Sequence, residues 1–173
     1  MGERRNTDEP DFAALSGRIY RLCLALLRRE DAAADAAQEA LTRAWLRRGK
    51  KRTGVDWWTW SAGFAVRVCR EVIRARRFEG RDHPDDREMP GDAFDDAASS
   101  LRSDPDLQAA IHALPNRQRE VTVLRFLVGQ SIREVAATLD CPEGTVKSNL
   151  FKAVRTLRGR FGVSGAVDEL RNV

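Results

Sequence analysis

Lys147, Ser148, Phe151, Lys152 and Arg155 recur at spacings that set them on one side of an α-helix, while Val146, Leu150 and Val154 fall on the other. Ammonium, guanidinium and hydroxyl groups gathered on one helix face can hold phosphate oxygens and reach base edges in a duplex major groove. A second series, Arg67, Arg70, Arg74 and Arg77, repeats at intervals of three, four and three. Such a cationic stripe can track a sugar–phosphate backbone. A third group, Asp35, Gln38, Glu39 and Arg43, forms the polar face of a helix otherwise rich in alanine. None of these is bond-making chemistry. The chain has no paired carboxylates, nucleophile motif, metal-ligand cluster or glycine-rich phosphate loop. The reading is therefore binding rather than catalysis, with no cofactor and no metal.

The elements that must position these groups read as helices. Phe12, Leu15, Ile19, Leu22 and Leu26 make one apolar stripe. Asp31 is placed to cap a second helix, which runs through Ala40 and Trp45 and ends before Gly49. A basic loop from Arg48 to Asp56 leads to a third helix over Trp57–Arg77, with Trp60, Phe64, Val68 and Val72 inward. Between residues 79 and 104 the apolar periodicity disappears among aspartates, glycines and prolines, so this stretch reads as a flexible acidic linker.

Helical periodicity resumes at Asp106–Leu114, is stopped by Pro115, and continues from Asn116 to Val128 with Gly129 as a left-handed stop. Ser131 and Glu134 form a capping box for a short helix. Pro142 or Glu143 opens a final helix with Val146, Leu150, Val154, Leu157 and Phe161 inward. The short helix, tight turn and basic second helix make a helix-turn-helix pattern. A plain helical hairpin with a solvated basic face fits the same spacing. The expected fold is all-α: a domain over 1–78, a linker over 79–104, a second domain over 105–162 and a tail over 163–173.

Net charge is +4, but its distribution is uneven: residues 1–78 carry +7, residues 79–106 carry −7 and the remainder +4. Two basic blocks flanking an acidic one suit a polyanionic partner for the blocks. Cys23, Cys69 and Cys141 are odd in number and widely separated, which reads as reduced thiols acting as small hydrophobes in a cytoplasmic protein. The polar start and the lack of a long apolar run give no signal peptide and no membrane insertion.

The segment LPNRQREVTVLRFLVGQSIREVAATLDCPEGTVKSNLFKAVRTLR closely resembles region four of the extracytoplasmic-function (ECF) sigma factors of bacterial RNA polymerase. AADAAQEAL, residues 33–41, resembles the core of sigma region two, and Trp60–Arg77 resembles the helix that faces the promoter minus-10 element. The resemblance implies several roles. Asp35, Gln38, Glu39 and Arg43 would bind core RNA polymerase at the clamp helices of its largest subunit, with a further contact at the flap. Lys50, Lys51 and Arg52, with Trp57, Trp58, Arg67, Arg70, Arg74 and Arg77, would serve minus-10 DNA. The two tryptophans either stack on unpaired bases or pack locally.

Arg125, Thr145, Lys147, Ser148, Asn149, Phe151, Lys152 and Arg155 would serve minus-35 DNA. Phe151 either meets a thymine methyl or tucks into the core. The acidic linker would mimic RNA in the polymerase channel, and an anti-sigma factor is a further expected partner. Arg67, Glu71 and Ser61 stand where the family usually has asparagine, aspartate and leucine, which bears on minus-10 preference. The start of the region-four segment is also similar to LuxR-type helix-turn-helix regulators, but that alternative leaves residues 1–78 unexplained.

Overall fold

A computed structural model describes residues 10–78 and 104–162, and among these every regular element is a helix. The acidic linker and the C-terminal tail lie outside the described residues, and so does the RNA-mimic reading.

Helix α1 spans Phe12–Leu27, and Asp11 caps it by accepting from the backbone of Ala13 and Ala14. It ends where Arg28 turns left-handed, at φ 58°. Helix α2 follows at once, Glu30–Leu46. Asp31 is not its cap. It lies in the first turn and pairs with Arg29, the residue at the capping position, whose guanidinium lowers the carboxyl to about 2. The capping position is held by an arginine, which makes no side-chain cap bond, and the acidic first turn of Glu30 and Asp31 faces the positive end of the helix dipole instead. Ala33, Ala36, Ala37, Ala40 and Ala44 are buried. Their small side chains let α2 lie close against α1 and α3.

Helix α3 spans Trp57–Phe78. Asp56 caps it, accepting from the Thr59 backbone at 2.9 Å and the Thr59 hydroxyl at 2.8 Å. Burial pushes the Asp56 carboxyl up, but the Thr59 hydrogen bonds outweigh burial and leave it below its ordinary value. Trp60 donates its indole N–H to the Ala44 carbonyl at 3.1 Å, tying α3 to α2. Cys23 and Cys69 are buried free thiols. A hydrogen bond with Cys23 and then burial hold the Cys69 thiol well above its usual range, so it behaves as a small hydrophobe.

The second bundle begins with α4, Pro105–Ala113, capped by Asp104. Helix α5, Asn116–Thr122, does not continue as one α-helix to Val128, as the sequence predicts. It passes into a single π turn over Val123–Leu127, where the Val128 N–H reaches the Val123 carbonyl at 3.0 Å. The wider turn lets both Val123 and Leu124 bury fully before Gly129, at φ 80°, reverses the chain. Helix α6 covers Ile132–Leu139 and has the expected capping box with both reciprocal bonds. Helix α7 covers Glu143–Phe161.

The bundles touch directly. α3 lies against α6 and α1 against the π turn. Ile19, Leu22 and Cys69 belong to the same buried cluster as Val121, Leu124, Val135 and Val146. Where α3 meets α6, a Cβ on Gly63 would stand 3.0 Å from the Thr138 carbonyl oxygen, so a side chain there would press the two helices apart by a few tenths of an ångström.

Candidate nucleic-acid interface

Helix α7 follows a turn in which Asp140 adopts left-handed backbone, φ 51°, and the Cys141 N–H bonds back to the Ala136 carbonyl at 3.0 Å. That closure fixes α7 across α6. Val146, Leu150 and Ala153 are buried, whereas Thr145, Lys147, Ser148, Lys152 and Arg155 are exposed. The inward stripe differs from expectation at its far end. Ala153 takes the core position, Val154 is only half-buried and Phe161 is 40 % exposed, because α7 runs on beyond the helices that cover its first turns.

Phe151 stands on the open face, 37 % exposed. Asn149 is half-buried and donates to the Thr145 carbonyl at 2.8 Å, which occupies its amide within the helix. Arg125, in the π turn, is half-buried and reaches the Gln130 carbonyl at 3.3 Å. Gln130 itself is buried and exchanges hydrogen bonds with Thr138 at 3.1 and 3.2 Å, which braces the start of α6.

The first bundle presents a different surface. Trp57 and Trp58 are both half-buried. Trp57 lies beside Trp45, 6.0 Å between ring centroids, and Phe12 meets the edge of Trp45 at 5.2 Å. Trp58 carries the Arg18 guanidinium over its ring at 4.2 Å. Lys50 is exposed in a 3₁₀ turn over Arg48–Lys50, while Lys51 folds back to donate to the Val55 carbonyl at 2.8 Å. Cations rim this aromatic group, with Arg48 over Trp45 and Lys51 over Trp57. Sequence reasoning misses Trp45 and Arg48 as members of this group. The tryptophan sits at a helix end where spacing alone reads as core.

The arginine stripe of α3 is divided by its surroundings. Arg67 and Arg74 are exposed, and Arg77 is exposed near the helix end. Arg70 turns to Glu120 of α5, with Nε–Oε1 at 2.5 Å and Nη2–Oε2 at 2.6 Å. Arg52 of the loop reaches Asp140 at 3.4 Å. Glu120 carries no mark in the sequence that it faces a residue fifty positions earlier. Between α3 and the α6–α7 turn lies an open cleft of about 540 Å³, lined by Arg52, Trp60, Phe64, Arg67, Asp140 and Glu143.

On α2, Asp35, Gln38 and Glu39 are exposed along one side. Arg43 is held between Glu39 at 2.6 Å and Glu71 of α3 at 2.9 Å, and both hydrogen-bonded carboxylates raise its pKa. Glu71, where the family resemblance has aspartate, thus joins α2 to α3. No group of acidic, histidine or cysteine side chains among the described residues could hold a metal ion. No helix among them is long and apolar enough to cross a membrane.

Two family models match the chain: Sigma-70 region 2 over residues 12–79, and Sigma-70, region 4 over residues 105–157. The RNA polymerase sigma-H factor of Pseudomonas aeruginosa is 30 % identical over 135 residues, covering 70 % of this chain and 68 % of that protein. The ECF RNA polymerase sigma factor SigW of Bacillus subtilis is 28 % identical over 155 residues, covering 82 % and 81 %. The chain spans only 38 % of the length of another relative, the probable sigma factor RfaY of Xanthomonas campestris, at 27 % identity. Among solved structures, the sigma factor RpoE of Bartonella quintana, crystallised with the anti-sigma factor NepR, aligns with a TM-score of 0.66 over 90 % of this chain and 96 % of that one. At 23 % identity the match speaks for the fold.

Proposed function

The chain belongs to the promoter-recognising RNA polymerase sigma factors, of the ECF type, and from that membership we propose a role for each of its surfaces. The exposed side of α2, with Asp35, Gln38 and Glu39, docks on the clamp helices of core RNA polymerase. The basic loop and the exposed arginines of α3 engage the minus-10 element. Helix α7 enters the minus-35 major groove. The family consists of initiation factors rather than enzymes, and the work such a factor does is binding: phosphate contacts position the protein and a few side chains specify bases.

The observation that carries this reading is the division of α7. Thr145, Lys147, Ser148, Lys152 and Arg155 lie open on the side opposite Val146, Leu150 and Ala153, on the second helix of a helix-turn-helix. Phe151 shares the open side and suits a thymine methyl better than a core site. Trp57 and Trp58 are packed against Phe12, Trp45 and Arg18, which supports a structural role ahead of base stacking.

Two further roles rest on the same membership. The protein acts in the cytoplasm. An anti-sigma factor is its negative regulator, a partner of the kind that NepR is in the complex with the Bartonella quintana sigma factor. A stand-alone helix-turn-helix regulator is not favoured, because the region-two match covers residues that such a reading leaves idle.

Reconstitution tests the proposal. Core polymerase with this chain should transcribe a selected subset of a promoter library. Reversing charge at both Asp35 and Glu39 should weaken association with core enzyme while circular dichroism stays unchanged. Transcription that does not depend on the added chain would overturn the reading.

A further inference from the structure

Helix α6 is the first helix of the helix-turn-helix, the one that crosses the duplex backbone in that motif. Its entry is tied at one residue in three directions. The Gln130 N–H bonds to the Leu124 carbonyl of the π turn at 3.0 Å. The Gln130 side chain is buried with Thr138, in the last turn of α6. Its Nε2 donates to Thr138 Oγ1 at 3.1 Å, and its Oε1 accepts from that hydroxyl at 3.2 Å. The Gln130 carbonyl, just before the Ser131 cap, accepts from Arg125 Nη1 at 3.3 Å.

A buried amide and hydroxyl add little stability over two apolar groups of the same shape. A fully satisfied polar pair instead fixes one geometry. The element it fixes carries a cation. Arg125 uses one donor on the carbonyl, and a guanidinium has five N–H donors in a rigid fork, so the fork can also grip a phosphate. From this geometry we propose that Gln130 and Thr138 are positioning residues for minus-35 recognition: their reciprocal pair fixes the Gln130 carbonyl, and that carbonyl aims Arg125 at one promoter phosphate. The proposal rests on the minus-35 assignment of the second bundle. An arginine ordered before DNA arrives loses less freedom on binding, which raises affinity without a new contact. A backbone contact carries no sequence information, so the pair acts on all minus-35 sequences alike.

Gln130→Met with Thr138→Val replaces both polar partners by apolar groups of similar shape. Such an exchange is close to neutral for folding, so the double variant should melt near the parent. Thr138→Ser keeps the hydroxyl and should behave as the parent does. The probe is a pool of promoter duplexes randomised over the minus-35 segment. It is bound to core polymerase reconstituted with each full chain, at about 50 and about 200 mM salt, and the bound fraction is sequenced. The double variant should lose about 0.9 of a unit of salt slope, the share of one phosphate, so that this salt step weakens its binding about 3.5-fold less than it weakens the parent. Its preferred sequence should not change. In an Arg125→Ala background the same two substitutions should cost nothing further, because their effect runs through that guanidinium.

A double variant that keeps the parent's slope overturns the proposal, and so does a Thr138→Ser chain that loses as much slope as the double variant. A changed preferred sequence, or a further loss in the Arg125→Ala background, would place the effect on α7 instead and overturns it equally. Should the double variant fail to fold, Thr138→Val alone, which removes only the hydroxyl, decides by the same readings. A parent complex that enriches no minus-35 sequence removes the minus-35 reading itself, and the proposal with it. Enrichment by the parent leaves that reading intact whatever the variants do.

Discussion

Helices α3 and α7 both carry arginine or lysine on one side and core residues on the other, yet the protein treats the two cationic sides oppositely. On α7, Lys147, Lys152 and Arg155 stand in solvent, and the neighbouring helices touch only the buried side. On α3, the second bundle lies across part of the cationic side and supplies Glu120 to Arg70. The difference follows from position in the assembly. The cluster that buries Val121, Leu124 and Val135 is continuous with the one that buries Ile19, Leu22 and Cys69, so α3 sits at a seam and α7 at an edge. A cation at an edge stands in solvent, while a cation at a seam already has a carboxylate beside it. Equal sequence signals can thus mark unequal availability.

The largest effects should come from breaking the shared core. Leu22→Ala in α1 and Leu124→Ala in the π turn each empty a fully buried site, and each should destabilise by about 2–5 kcal/mol. All four tryptophans lie in the first bundle, Trp60 alone of them lining the cleft to the second, so their fluorescence reports chiefly on the first bundle. If the seam is real, Leu124→Ala should lower the urea midpoint seen by tryptophan fluorescence. A midpoint shift confined to far-ultraviolet circular dichroism would mean that the bundles unfold separately and that the comparison of edge with seam is mistaken.

Next comes the open surface. Lys147→Ala with Lys152→Ala should weaken minus-35 binding by about tenfold or more, and should reduce the salt slope by about two units if both lysines neutralise phosphates. Base contact by either would add about 1–3 kcal/mol of lost discrimination at one base pair. Binding of the variant and the parent to a promoter library at two salt concentrations measures both quantities. No change in affinity or in preferred sequence would show that α7 is not the reading helix.

A smaller pair of effects sharpens the contrast within α3 itself. Arg74 is exposed, so Arg74→Ala should cost the free chain a phosphate contact and about one unit of salt slope on forked DNA. Arg70→Ala removes a contact too, but it also removes the partner of Glu120. In the free chain those consequences oppose one another, so its affinity should fall less than that of Arg74→Ala. Equal losses in the free chain would argue that Arg70 is not restrained.

The helices and the helix-turn-helix were legible in the sequence because local rules decide them. The capping box at Ser131 and Glu134, the stripe from Leu15 to Leu26 and the glycine stop at Gly129 all act within a few residues. Family membership was legible from the same motif-bearing segments. What stayed hidden was long-range. Glu120 reads as an ordinary member of the LPNRQRE entry, Gly63 as an unfavourable residue within a helix, and Asp140 as part of a turn. Only their meeting with Arg70, Thr138 and Arg52 gives them meaning, and no periodicity encodes it. The π turn was missed for a related reason, since one extra residue in a turn leaves the apolar pattern nearly unchanged.

The smallest effect concerns α6, the element that supports α7 on one side and covers α3 on the other. Its first turn depends on Glu134, whose carboxylate accepts from the Ser131 backbone at 2.7 Å. Hydrogen bonds from the Ser131 backbone and then its hydroxyl hold the Glu134 carboxyl below its ordinary 4.5. A carboxyl lowered by folding stabilises the native state while ionised. Its contribution is full above 4.5, the unfolded value, and is lost as pH falls through the lower folded value. The group is exposed, so solvent screens the effect. Glu134→Ala should cost about 0.3–1.5 kcal/mol at neutral pH, and the deficit relative to the parent should shrink in acid. Because α6 serves both surfaces, the variant should weaken minus-35 binding slightly and tighten binding of the free chain to forked minus-10 DNA slightly. Thermal melting at neutral and acid pH, with both binding assays at neutral pH, checks this. A deficit that grows in acid would mean that the Glu134 carboxylate does not stabilise the native state, and a fall in both affinities would show that α6 supports α7 without covering α3.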